Sequence, residues 1–122
     1  MPCLRLTGPA RTDIARLLDW SAEHFGVAGR RRYETLIETA LRDIAADPRR
    51  IGSREEPALG PSRRIYHVRL SRERAKVQHG SVRSPRHILV YRILEEEDLV
   101  VVLRVLHEAM DLLRHVQPES GK

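Results

Sequence analysis

The sequence predicts an α+β fold. A short N-terminal strand leads into an antiparallel two-helix hairpin, packed on a three- to four-stranded, mainly antiparallel sheet, with a short C-terminal helix. Three observations carry this reading. Apolar residues recur at helical spacing from Ile14 to Ala45. The second half instead holds two β-branched runs, RHILVYRIL and LVVVLRVL, bounded by turn-forming residues. Helices come first and strands after, which segregates the two layers.

Taken in order, Leu4–Thr7 alternates as an opening strand, and Thr7 is placed to cap a helix that tolerates Pro9 in its first turn. Ile14, Leu17, Leu18, Ala22 and Phe25 form the first stripe, Trp20 lies off it, and Gly26 is a natural stop. Tyr33, Leu36, Ile37, Ala40, Leu41, Ile44 and Ala45 form the second stripe, ended by Asp47-Pro48 because a residue before proline is pushed out of the helical region. Gly26–Gly29 is the expected hairpin loop, and the C-terminal half supplies the sheet that covers both stripes. Residues 49–62, with Gly52, Pro57, Gly60 and Pro61, read as a loop. Arg64–Leu70 is a strand, residues 71–84 a long basic loop or extended hairpin, and Arg86–Leu94 the next strand. The acidic turn Glu95–Asp98 then returns the chain into Leu99–Leu106, eight residues broken only by Arg104. That run is too short for a membrane span and reads as a strand buried on both faces. At His107 the pattern changes to HEAMDLLRH, the expected start of the last helix. One domain over residues 1–116 and a polar tail over 117–122 complete the organisation.

Composition narrows the class. The chain has 122 residues, 41% of them hydrophobic and 32% charged, enough for a core without disulfide or metal. Cys3 is the single cysteine, so no internal disulfide forms and a reducing, cytoplasmic setting is expected. Neither a signal-peptide pattern nor an apolar run of membrane length is seen. Charge is uneven: residues 49–86 carry ten arginines and Lys76 against Glu55, Glu56 and Glu73, a balance of +8, which leaves −3 for the rest of a chain at +5. Such a segment suits an acidic partner or a nucleic acid, although a GC-rich genome produces the same arginine excess.

The chemistry-bearing residues are few. His107 opens HEAMD, close to the zinc-binding HExxH, but Asp111 replaces the second histidine and a third ligand would have to come from a residue such as His115. No metal site is expected, and His107 and Asp111 read as orienting a helix start. Arg92 and Arg104 interrupt apolar strands, and arginine is seldom buried without a mate. A two- or four-residue turn between the strands sets Arg92 level with Val101, whereas a three-residue turn sets Ile88 opposite Arg104. A cluster of Arg64, Arg92 and Arg104 near His107 fits a carboxylate better than a phosphate. His87, Tyr91, His107 and the arginines are the candidates for an RNA-cleaving site, but no spacing picks them out. Aromatic residues make up 4%, too few for a base-stacking platform.

Several motifs together resemble one family. LTGPARTDIARLLDW, HFGVAGRRRYETL, DPRRIG, RHILVYRI and above all RVLHEAMDLLRH look like a ParE toxin of the RelE/ParE type II toxin–antitoxin superfamily, also described as plasmid stabilisation proteins. One departure is the segment from Val68 to Ser84, longer than the family's usual connection. The resemblance implies a toxin that causes growth arrest by binding DNA gyrase and is neutralised by a cognate, acidic, ParD-like antitoxin. It implies no cofactor and no membrane partner, with indirect DNA contact through gyrase; contact of the long basic loop with DNA would leave no mark in sequence beyond its charge. Target contacts fall by position on Arg104, His107, Met110 and Asp111, and antitoxin contacts on Trp20, Tyr33, Arg64 and Arg92. No catalytic residue is expected. In the alternative, a ribosome-dependent mRNA endoribonuclease of RelE type, Arg92, Arg104 and His107 would do the chemistry. An inactive toxin that only binds antitoxin is the third reading.

Overall fold

The computed structural model describes residues 3–76 and 82–109. Its elements are strand β1 (Cys3–Leu6), helix α1 (Gly8–Ala46), and strands β2 (Arg54–Glu55), β3 (Arg63–His67), β4 (His87–Leu94) and β5 (Leu99–His107). The expected C-terminal helix and polar tail lie outside the described residues.

Thr7 caps α1 as its type predicts: its Oγ1 accepts from the Ala10 N–H at 3.1 Å and donates to the Leu103 carbonyl at 2.8 Å. The cap therefore also ties the helix to β5. The expected hairpin of two helices with a four-residue loop is replaced by one helical element, Gly8–Ala46, with a single non-helical residue. Gly26 takes φ 75° and ψ −174°, a region essentially reserved for glycine. Val27 and Ala28 are adequate helix formers, so nothing beyond Gly26 needs to leave the helix. The break still bends the element: Arg30 Nη1 reaches Asp19 Oδ1 at 3.2 Å. A straight helix would separate residues that far apart in sequence by about 16 Å of rise.

Both arms of α1 pack on the same face of the sheet. Leu17, Leu18, Leu36, Ile37, Ala40 and Ile44 share one core with Tyr66, Leu89, Tyr91, Val100, Val102 and Val105. Each fully buried leucine, isoleucine or valine side chain contributes about 1.5–3 kcal/mol of transfer free energy. On the other face Leu59, Ile65, Val90, Leu103 and Leu106 form a second cluster. Burial on both faces is why the sequence from Leu99 onward is almost continuously apolar.

The sheet has five strands in the order β1-β5-β4-β3-β2, and it is mixed: β1 runs parallel to β5 and the other pairs are antiparallel. Two expectations are corrected here. Two-residue β2 adds an edge within what reads as a loop, because Arg54 and Glu55 pair with Ile65 and Arg64 without any apolar alternation to announce them. β3 ends at His67, where Val68–Ser71 tightens into a 3₁₀ turn.

The β4–β5 hairpin turns through Glu95–Glu97, with Asp98 left-handed at φ 50°, a conformation aspartate tolerates. Leu94 faces Leu99 and Arg92 faces Val101, the register expected for a four-residue turn. Beyond Tyr91↔Val102 a bulge intervenes, and Val90 faces Arg104. An extra residue re-aims the side chains that follow it. The strand then runs through His107, where a helix start was expected; a turn follows at Glu108 and Ala109.

Candidate functional site

The bulge in β5 is the first of three places where polar chemistry collects. β1 stops at Leu6, so beyond Val102 the β1 side of β5 has no strand partner. Asp13, in the first turns of α1, fills the gap. Its Oδ2 accepts from the Val105 N–H at 2.9 Å and from Arg104 Nε at 2.7 Å, and its Oδ1 accepts from Arg104 Nη2 at 3.0 Å. This two-pronged carboxylate pair pushes the Arg104 guanidinium above its ordinary pKa. The mate expected for Arg104 is therefore a carboxylate of its own chain.

The second place is the end of the sheet where β3, β4 and β5 finish. Tyr33 of α1 has its hydroxyl 2.6 Å from His87 Nδ1, and that hydroxyl accepts the Arg86 N–H at 3.1 Å. With Arg86 donating, the Tyr33 O–H points at His87, whose Nδ1 is the acceptor. Burial, with the neighbouring His107 and His67, pushes the His87 pKa down to about 4, and burial pushes Tyr33 up to about 12. Both are thus held neutral, which suits this hydrogen bond. His107 stands edge-on to His87, ring centroids 5.4 Å apart, and its Nδ1 accepts from the Ala109 N–H at 3.0 Å. His67 Nδ1 accepts from the Arg69 N–H at 3.1 Å, so its Nε2 carries the proton facing Glu108 Oε2 at 2.8 Å. That bond, with Arg86, holds the Glu108 carboxyl below its ordinary pKa. The three imidazoles share one consequence: each has its Nδ1 lone pair occupied, so the neutral ring keeps no acceptor nitrogen in reserve. No group of three His, Cys, Asp or Glu residues among the described ones is arranged to hold a metal ion.

The third place is an open cleft of about 540 Å³ beside that end, between the 3₁₀ turn Val68–Ser71 and residues 83–86. Arg69, Arg72, Arg83 and Arg86 line it together with His67 and Glu108.

The residues singled out from sequence do not converge. Arg104 and His107 lie on β5, three residues apart. Arg92 faces Val101 and Arg63 on its neighbouring strands, and Arg64 Nη2 donates to Ser53 Oγ at 2.8 Å. Trp20 is half-exposed on α1, stacked on His24 and edge-on to Phe25. Tyr33 is partly buried in the His87 network. Met110 and Asp111 lie outside the described residues. Sequence reasoning missed Asp13, His67 and Glu108. Asp13 was accessible in principle: it falls at i+3 from Ala10 and i−4 from Leu17, inside the buried stripe, where a carboxylate requires a mate.

The helix, the five-stranded mixed sheet and the arginine-bearing last strand define a fold shared with small RelE-type toxins. A metal-bound toxin from Helicobacter pylori superimposes at TM-score 0.55 with 15% identity, over 89% of this chain and 97% of that one. The isolated E. coli RelE toxin gives TM-score 0.53 and 15% identity over 94% and 93%. RelBE2, a toxin–antitoxin complex from Mycobacterium tuberculosis, gives TM-score 0.48 and 24% identity over 89% and 93%. No curated protein matches the chain. The family described as ParE toxin of type II toxin-antitoxin system, parDE, matches residues 4–112, and the chain belongs to that family.

Proposed function

We propose that this toxin arrests growth by binding DNA gyrase rather than by cutting RNA, and that a cognate, acidic, ParD-like antitoxin neutralises it in the cytoplasm. The observation that carries the reading is the commitment of Arg104. Asp13 takes two of Arg104's five N–H groups in a two-pronged pair and offsets its charge, which suits a side chain that fixes the strand better than one that neutralises a scissile phosphate. The imidazoles support the same reading, since the Nδ1 atoms of His67, His87 and His107 all accept hydrogen bonds within the chain and hold the rings as parts of its framework.

Gyrase contact is assigned to the end of β5, His107 and onward through Met110 and Asp111. Arg104 acts there by fixing the strand against α1. Antitoxin contact is assigned to Trp20 with Phe25 and Val27, exposed beside the Gly26 break, and to Tyr33, Arg64 and Arg92. An amphipathic acidic segment suits an apolar patch next to a basic middle.

The test is a supercoiling assay with antitoxin-free protein. Inhibition with accumulation of linearised plasmid is expected, and normal supercoiling at large toxin excess overturns the reading. One observation favours the ribosome-dependent endoribonuclease: His67, His87 and His107 gather beside the arginine-lined cleft. That reading requires cut transcripts that disappear on His107→Ala, and intact transcripts during growth arrest remove it. Inactivity in both assays with antitoxin binding preserved marks a toxin that has lost its target.

A further inference from the structure

The cleft beside the imidazoles is strongly positive. Four arginines line it against one carboxylate, a net charge of +3 with neutral histidines. Glu108 is tied back, its Oε2 accepting from His67 Nε2 and its Oε1 lying 3.3 Å from Arg86 Nη1. Arg72 is tied back, its Nε donating to the Val82 carbonyl at 2.5 Å and its Nη1 lying 3.6 Å from Glu73. Arg69 and Arg83 differ: both are exposed, and neither side chain has a hydrogen bond or ion pair among the described residues. The backbone of Arg69 is nevertheless fixed by its N–H bond to His67. The cleft thus presents two uncommitted guanidinium groups on a frame held by two others.

We propose that this cleft binds the phosphate backbone of duplex DNA. Among the described residues the cleft lies open along one side, a shape that suits an extended polyanion laid across it. Its charge is the local focus of the +8 balance over residues 49–86. Among the described residues no aromatic side chain lines it apart from the His67 ring, which is engaged at both nitrogens. Unstacked bases of a single strand therefore lack the platform that such ligands use. Exposed arginines without a stacking platform suit backbone neutralisation without base readout, the mode in which arginine recognises a duplex by charge. The inference goes beyond the gyrase reading and does not rest on it, because the cleft binds DNA whether or not gyrase is present.

The experiment is a fluorescence-anisotropy titration of full-length, antitoxin-free protein onto a short labelled duplex, repeated at several salt concentrations. Neutralising about three phosphates predicts a slope of about −3 in log affinity against log salt. Arg69→Ala/Arg83→Ala is expected to flatten the slope by about 2 units, each lost phosphate contact removing roughly one. Arg16→Ala, exposed on α1 and outside the lining, is expected to leave it unchanged. Thermal melts of both variants establish that the fold is kept. The proposal is overturned if duplex binding is absent, if Arg16→Ala flattens the slope as much as the double variant, or if a single strand of RNA or DNA binds more tightly than the duplex. It is equally overturned if an acidic peptide, and no duplex, binds through Arg69 and Arg83. Gyrase inhibition measured on the same variants keeps the two readings apart: lost duplex binding with intact inhibition removes only the cleft.

Discussion

Arg104 and Arg69 are the same side chain in opposite circumstances. Arg104 is gripped by the Asp13 carboxylate where β1 runs out, and it holds the helix to the last strand. Arg69 stands in an open cleft with no carboxylate of the described chain against it. Asp43 repeats the first situation at the other end of α1. It is buried, its Oδ1 lies 3.2 Å from Arg74 Nε and 3.5 Å from Arg50 Nη1, and its Oδ2 accepts from Ser71 Oγ at 2.6 Å. What makes Arg104, Arg50 and Arg74 structural is therefore a carboxylate on α1 that faces them, and no such carboxylate faces Arg69 among the described residues.

The largest expected effects fall on those carboxylates. Asp13→Ala removes the acceptor of the Val105 N–H and the carboxylate facing Arg104, and Asp43→Ala removes the buried carboxylate that Ser71, Arg50 and Arg74 share. Each should cost about 2–4 kcal/mol in chemical denaturation. Arg69→Ala/Arg83→Ala, by contrast, should stay within about 0.5 kcal/mol of the parent. Equal losses in the two sets would erase the distinction.

Gly26→Ala comes next. No heavy atom lies within 4 Å of where its Cβ would stand, so the penalty is one of backbone conformation alone. A cost of about 1–3 kcal/mol is expected. An unchanged midpoint would mean that α1 straightens without loss and that the Asp19–Arg30 pair is dispensable.

The imidazole end adds a pH dependence. His87 is held neutral with its pKa down to about 4, so the unfolded chain, with an ordinary value near 6.5, takes up the proton first as the pH falls. Stability contributed by the neutral ring is full above about pH 6.5, declines between 6.5 and 4, and levels off below that. A decline of about 3 kcal/mol across this window is expected, and His87→Gln should flatten it. Retention of the full slope in that variant would place the titrating group elsewhere.

The smallest effect on stability, and the largest on partner binding, belongs to Trp20→Ala. Trp20 is 52% exposed, so its removal should change the melting midpoint little. Loss of a central aromatic anchor should still weaken antitoxin binding about 30-fold, the equivalent of some 2 kcal/mol, by isothermal titration. Unaltered affinity would move the antitoxin off the α1 break.

Much of this was legible from residues alone. The apolar runs located β4, β5 and both arms of α1, and Thr7 announced its cap, because burial and capping leave periodic or chemical marks. Arg104 was legible as an arginine in need of a mate, but the mate was not, since Asp13 lies 91 positions away and only the fold joins them. The β5 bulge and the edge strand β2 were invisible: a bulge is an extra residue with no characteristic side chain, and two exposed residues carry no alternation. The cleft could be read only as a regional excess of arginine, because which guanidinium groups are free depends on contacts made in three dimensions.

The most direct test of the account is a double-mutant cycle across Asp13→Asn and Arg104→Gln, read both as unfolding free energy and as gyrase inhibition. A framework pair predicts a coupling of about 1–3 kcal/mol in stability, with inhibition tracking the folded fraction in all four proteins. A cycle with no coupling, in which Arg104→Gln alone abolishes activity at full stability, would make Arg104 a working residue and contradict the reading.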